Sequence, residues 1–273
     1  MENTHPPFAI RRTEMFCMKS EHVGDDFQIY VQLPRSYAGS EQTYPTLYLT
    51  DGDDLFPLVT GILHALYLDR AAPDMLVVGI GYGADSEEPG NRRLFDMGAT
   101  RASFPKVPGT EGEPRQAGGG GENFLRFIRD ELIPHIEKTY RTDPANRAYA
   151  GLSFGGLFGA YILFNHPNIF QRYILCSPSL WWDDCISFKY EAQYAETHTD
   201  LPARVFLTTG SKEKIEGWEA FVEQDPNVDK FAEKLAARPY PSLAFRFNVE
   251  EGDHAYSQPS ALTKGLRFIF DKE

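Results

Sequence analysis

The chain has 273 residues, 42% of them hydrophobic and 14% aromatic, enough for one large core and hence for a single domain spanning residues 1–273. Its formal net charge of −12 repels nucleic acid and anionic membrane surfaces, so neither is expected as a partner. Three cysteines (Cys17, Cys176 and Cys185) with no CxxC spacing argue against a disulfide framework, and no apolar run approaches the length of a membrane span. Met1 to Ser20, interrupted by Arg11, Arg12 and Glu14, holds no signal-like apolar stretch, so a cytoplasmic protein is expected.

In chain order, Phe27, Ile29, Val31 and Leu33 alternate as one face of a strand that stops at Pro34. A turn-rich segment from Ser36 to Thr43 leads into a short apolar strand, Thr46 to Thr50, ending at Asp51-Gly52. Leu55 to Leu66 reads as a helix. Met75 to Ile80 is a continuous apolar run, the pattern of a parallel strand covered on both faces. From about residue 83 to 122, Pro89, Gly90, Pro105, Pro108, Gly109, Gly112, Pro114 and Gly118 to Gly121 break any regular element, so a long loop or lid is expected there. Gly118 to Gly121 lacks the following Lys-Ser or Lys-Thr of a phosphate-binding loop.

Helical spacing returns at Phe124, Phe127, Ile128, Leu132 and Ile136, so one amphipathic helix is expected over Asn123 to Lys138. Strands follow at Arg147 to Gly151, Arg172 to Cys176, Ala203 to Thr208 and Leu243 to Val249. Helices follow at Gly155 to Phe164, Asn227 to Ala236 and Pro259 to Phe270. This alternation predicts an α/β class: a mostly parallel central sheet with helices on both faces and an antiparallel N-terminal edge.

Gly151-Leu152-Ser153-Phe154-Gly155 is a GxSxG sequence lying between a predicted strand and a predicted helix, the context that makes Ser153 a candidate nucleophile on a strained turn. The flanking glycines let strand and helix approach, and the helix N-terminus beneath the hydroxyl favours developing negative charge. A base is then needed after a late strand. Of seven histidines, His5 and His22 lie too early, His64, His135 and His166 fall on or at the ends of helices, and His198 sits in a polar stretch; His254 alone fits. The acid belongs on the loop after Ala203 to Thr208. Glu213 is favoured, with Glu216, Asp225 and Asp183 as alternatives, to hold the imidazole tautomer. Asp253 is set aside because adjacent side chains on extended chain point apart. Two backbone donors must face the oxyanion: the N–H of Phe154 and, from the Asp51-Gly52-Asp53-Asp54 loop, the N–H of Asp53. A plain turn ranks second for that loop and a cation site a distant third. Trp181 and Trp182, after a strand at the same end of the sheet, are candidates for the wall of an acyl or aromatic pocket, with at most one facing the substrate.

Several segments together resemble one family: Tyr44-Pro-Thr-Leu-Tyr-Leu-Thr-Asp-Gly52, Glu131-Leu-Ile-Pro-His-Ile136, Tyr140-Arg-Thr-Asp143, Gly151 to Gly156, Ser177-Pro-Ser-Leu-Trp-Trp182, and His254. From about Ile29 to Phe270 the chain is similar to the Putative esterase family of α/β-hydrolases, which includes the enterochelin, salmochelin and bacillibactin trilactone esterases. The resemblance implies an α/β-hydrolase fold, Ser153 as nucleophile and His254 as base. It matches Gly210 to Glu213 to the family's Gly-x-x-Glu, and places Arg93, within Arg92-Arg93-Leu94-Phe95-Asp96, at the substrate site. The chain departs from the cytoplasmic enterochelin esterases in their extra N-terminal domain and from the periplasmic ones in their signal segment, so the bacillibactin type is the nearer pattern.

The expected activity is therefore hydrolysis of a carboxylic ester through an acyl-enzyme, with a siderophore lactone as one substrate class. It requires no metal or organic cofactor. An acyltransferase using the same triad and a catalytically inactive binding module are the alternatives. The expected partners are a small-molecule ester and, as an option, a second copy of the chain. Arg92, Arg93, Arg101 and Arg115 are the cations available to offset an anionic substrate.

Overall fold

The computed structural model describes residues 9–83, 89–104, 115–213 and 227–270. Side chains alternate across a strand with a period of two, and that alternation sorts the sheet residues into two layers. Leu47 and Leu49, Ala148 and Ala150, Ile174 and Cys176, and Phe206 belong to one buried cluster. Their neighbours Tyr48, Tyr149, Tyr173, Leu175, Val205 and Leu207 belong to the other.

These residues lie on β3 (Tyr44–Leu49), β7 (Thr142–Leu152), β8 (Arg172–Cys176) and β9 (Arg204–Gly210), which β1 (Thr13–Lys19), β2 (Asp26–Gln32), β4 (Leu76–Gly81) and β10 (Ala244–Glu250) flank. They form one eight-stranded sheet in the order β1-β2-β4-β3-β7-β8-β9-β10. β2 pairs antiparallel with both β1 and β4, and the remaining neighbours run parallel. The mostly parallel sheet and its antiparallel N-terminal edge thus match the sequence expectation. β1 was not anticipated: it is an edge strand whose Met15 is exposed, and its burial pattern lacks the buried alternate residues that identify β2.

One face is covered by α1 (Gly52–Leu68) and α8 (Gln258–Phe270), which supply Leu55, Phe56, Val59, Leu63, Leu262, Leu266 and Ile269. The other face carries α3 (Gly121–Arg126), α4 (Ile133–Thr139), α5 (Phe154–Asn165), α6 (Trp182–Thr197) and α7 (Asn227–Ala236). Between α3 and α4, Phe127–Leu132 is a π-helical segment. Pro134 follows two residues later. It donates no N–H and its ring crowds the carbonyl four residues back, and the widened turn accommodates both effects. The single expected helix is thus three joined pieces.

The stretch expected to be without regular structure is only partly so. It contains α2 (Pro89–Met97) and an antiparallel two-stranded ribbon of β5 (Arg101–Phe104) and β6 (Arg115–Gly118). Pro89 opens α2 at a position where a missing N–H costs nothing. Gly118 has φ +76, and a Cβ there would stand 3.0 Å from the Trp182 ring, so the ribbon's last residue must be glycine. Residues 84–88 and 105–114 of the same stretch lie outside the described residues.

Candidate active site

The parallel strands run with their C-terminal ends on one edge of the sheet, and the candidate site is assembled from the turns that leave β3, β7, β8, β9 and β10. Leu152 ends β7 and Phe154 begins α5, so Ser153 alone makes the turn, at φ 57 and ψ −116. A non-glycine residue there is strained, and the strain persists because its surroundings fix it. The Ser153 N–H donates to Cys176 O at 2.9 Å, and Ser153 O accepts from Leu157 N at 2.9 Å and from Ser179 N at 3.1 Å. Small neighbours make room: a Cβ on Gly155 would stand 2.5 Å from Thr50 Oγ1, and one on Gly156 2.8 Å from Pro178 Cβ. Phe154 places its backbone N–H in the first turn of α5, where the helix offers no acceptor and its dipole is positive. Its ring is buried between Trp181 and Trp182, with centroids 6.0 and 5.1 Å away.

Beyond β9 and β10 the two turns are laced together. Ser211 N donates to Glu250 O at 2.7 Å and Lys212 N to Gly252 O at 2.9 Å. This sets Glu213 opposite His254, and His254 Nδ1 lies 2.8 Å from Glu213 Oε2. The other carboxylate oxygen, Oε1, accepts from Ser177 Oγ at 2.5 Å and from Gly210 N at 2.8 Å. Burial alone would raise the Glu213 carboxyl, but the hydrogen bonds from His254 and Ser177 and the imidazole charge outweigh it and hold the group below the ordinary carboxylate range. Asp253, adjacent to His254, is turned away to accept the N–H groups of Ala255 and Tyr256. Asp183 is not the histidine's partner either; it lies in a turn where Asp183, Asp184 and Cys185 all have positive φ before α6 becomes regular. Glu216 and Asp225 lie outside the described residues.

Ser153 Oγ is hydrogen-bonded to Ser179 Oγ at 3.2 Å, and among the described residues it makes no hydrogen bond to His254. The two groups are linked instead through Ser177-Pro178-Ser179, the turn after β8, with one hydroxyl on Ser153 and the other on Glu213. Sequence reasoning missed Ser177 and Ser179. Their signal was present in the Ser177-Pro-Ser-Leu-Trp-Trp182 segment, but only the pairing of β8 with β7 and β9 shows what each hydroxyl faces.

After β3, Asp51 takes φ 56 and precedes α1. Arg93, from α2, grips this turn: Nε and Nη2 both reach the Asp51 carboxylate, and Nη2 also donates to Leu152 O at 3.1 Å. Arg93 therefore lies beside the candidate nucleophile, with its charge committed to Asp51. Asp53, whose N–H belongs to the first turn of α1, turns its carboxylate the other way, to Tyr30 Oη at 2.6 Å and Tyr82 N at 2.6 Å. The two aspartates thus point to different partners rather than to one cation. Arg92 is likewise engaged, by Asp25 at 3.3 Å and Asp96 at 3.6 Å.

The tryptophan pair divides. Trp181 is partly exposed. Trp182 is 1% exposed and its Nε1 donates to Thr100 O at 3.3 Å, so of the two candidates only Trp181 is left for the substrate wall. It anchors the β5–β6 excursion to the core and has no surface left for a ligand.

A mostly parallel sheet, a strained serine between strand and helix, and an imidazole–carboxylate pair at the ends of later strands define the class: an α/β-hydrolase-type serine enzyme that hydrolyses carboxylic esters. The chain belongs to the Putative esterase family, whose model matches residues 20–258. It is 28% identical over 97% of its length to the ferri-bacillibactin esterase BesA of Bacillus subtilis, covering 92% of that protein. It is 31% identical to the siderophore enterobactin esterase of Emericella nidulans, with 89% of each chain covered. The crystal structure of the BES protein from Bacillus cereus superposes with a TM-score of 0.82 at 30% identity, covering 98% of both chains.

Proposed function

We propose that this enzyme opens the ester bonds of a siderophore lactone, with Ser153, His254 and Glu213 as its triad. The observation that carries the triad is the strained backbone of Ser153 at the head of α5, together with the Glu213–His254 contact one sheet edge away. The substrate class rests on the two relatives named as siderophore esterases.

The reaction begins when the Ser153 hydroxyl leaves Ser179 and turns to His254 Nε2, the ring nitrogen opposite the one that Glu213 engages. Nε2 takes the proton as Oγ attacks the ester carbonyl. The tetrahedral oxyanion is received by the N–H groups of Phe154 and Asp53, at the first turns of two helices whose positive ends face it. Collapse expels the alcohol, which takes the proton from Nε2 and leaves an acyl group on Ser153. A water molecule then gives its proton to the same nitrogen and attacks the acyl carbon, and collapse of that intermediate returns the proton from Nε2 to Ser153 Oγ as the acid is released. Trp181 borders the space beside Phe154 and offers a face to an aromatic acyl group. Arg93 keeps the Asp51 turn against the end of β7, which fixes the spacing of the two oxyanion donors.

Ser153→Ala is expected to retain the fold while losing fluorophosphonate labelling and hydrolysis of ferric and iron-free trilactones, read by mass spectrometry. Undiminished labelling would remove Ser153 as the nucleophile. Hydrolysis of simple esters with neither trilactone consumed would overturn the substrate class alone.

A further inference from the structure

The triad is usually drawn as three side chains, but here the acid carries a fourth partner. Glu213 Oε1 accepts the Ser177 hydroxyl at 2.5 Å and Gly210 N–H at 2.8 Å, while Oε2 receives His254 Nδ1 at 2.8 Å. The carboxylate is thus held at both oxygens, and its plane is fixed before the imidazole is considered. Ser177 is itself fixed. Its N–H donates to Thr208 O at 2.9 Å, its side chain is buried, and its φ of 40 lies in the left-handed region, disfavoured for any residue with a Cβ. A serine held in a costly conformation with its hydroxyl on the triad acid is the pattern of a residue retained for its side chain.

We propose that Ser177 is a positioning residue of the catalytic machinery: its hydroxyl, with the Gly210 N–H, orients the Glu213 carboxylate so that Oε2 faces His254 Nδ1. This rests on the reading of Glu213 and His254 as acid and base. Without the hydroxyl, Oε1 keeps one fixed donor instead of two. The carboxylate can then rotate about its last bond, and the imidazole loses the acceptor that sets its tautomer. Gly210 completes the arrangement through its small size, since a Cβ there would stand 3.0 Å from Glu213 Oε1 and 2.7 Å from Gly252 O.

The test measures ester hydrolysis by Ser177→Ala, Ser177→Gly, Glu213→Gln and the double variant Ser177→Ala/Glu213→Gln, each checked for cooperative unfolding. Ser177→Ala is expected to lower kcat about tenfold with KM nearly unchanged, as for loss of one hydrogen bond to a charged group. Ser177→Gly relieves the backbone strain but also lacks the hydroxyl, so it is expected to be as slow as the alanine variant. Adding Ser177→Ala to Glu213→Gln is expected to cost nothing further, since the two act through one contact. A glycine variant at the wild-type rate, or full additivity in the double variant, overturns the proposal. If Glu213→Gln is impaired and Ser177→Ala is not, the proposal fails while the triad stands. If Glu213→Gln is itself silent, both fall.

Discussion

Arg93 shows how one side chain can tie two turns together beside a candidate site. Its guanidinium spans the Asp51 carboxylate and the Leu152 carbonyl, tying the turn after β3 to the strand end that presents Ser153. The planar fork makes several bonds at once, which a lysine ammonium on a flexible stem does not reproduce. Arg93→Lys is therefore expected to keep the charge but loosen the spacing between the Phe154 and Asp53 N–H groups. The expected outcome is a fall in kcat of about tenfold to a hundredfold with little change in KM, as for an oxyanion site moved out of register. Steady-state kinetics on a soluble ester checks it, and an effect confined to KM would instead mark Arg93 as a substrate-binding group. At this scale the sequence was informative where chemistry and position coincide: Ser153 is marked by its glycines, and His254 by its place after a late strand. It assigned Ser177 and Ser179 no role, because a hydroxyl carries no periodicity and its partner is decided by which strands lie side by side. It left open which of Trp181 and Trp182 is buried, because adjacent aromatics after a strand do not reveal which of the two turns inward.

The elements show how tightly the nucleophile turn is built. Tyr149 Oη donates to Gly155 O at 2.7 Å, and Thr50 Oγ1 lies 3.2 Å from the same hydroxyl, so β3, β7 and the start of α5 meet with no space for a side chain. Gly155→Ala would put its Cβ 2.5 Å from Thr50 Oγ1. Overpacking of this kind costs about 1–3 kcal/mol, and the strand–helix angle that aims Ser153 changes with it. Denaturant unfolding is expected to show that loss of stability together with loss of activity; a variant with normal stability and rate would mean the turn has slack. The central strands and their helices were legible because an apolar run covered on both faces has no other use in a chain of this composition. α2 and the β5–β6 ribbon were not. Proline and glycine were read as breakers, whereas here Pro89 starts a helix and Gly118 supplies the close approach to Trp182. The left-handed turn at Asp183 to Cys185 hid the start of α6 for a similar reason, since three residues with positive φ follow no helical or strand pattern.

At the scale of the whole molecule, a chain of net charge −12 keeps carboxyls inside, among them Asp96, Glu191 and Glu250. Asp96, 1% exposed on α2, is pushed up to about 7 by burial, against the opposing pull of Arg92. Its folded-state value lies above its unfolded one, so the native protein holds the proton more tightly. The stability this gives is fully present below about pH 4 and is lost as pH rises through about 7. Wild-type unfolding free energy is therefore expected to decline between pH 5 and pH 8 by up to a few kcal/mol. Asp96→Asn, which carries no charge at any pH, is expected to flatten that decline. Chemical denaturation at the two pH values checks this, and an unchanged slope in the variant would assign the decline to other groups.

The order of strands in the sheet also has a consequence in time. The serine is placed by β7 and α5, whereas the proposed acid and base arrive on the turns after β9 and β10, the last two strands and one edge of the sheet. A polypeptide emerging from the ribosome carries Ser153 about a hundred residues of synthesis before His254 exists. Throughout that interval the hydroxyl has no proton acceptor from the triad. On the proposed triad, the nascent chain is expected to lack hydrolytic power until the turns after β9 and β10 are laced together.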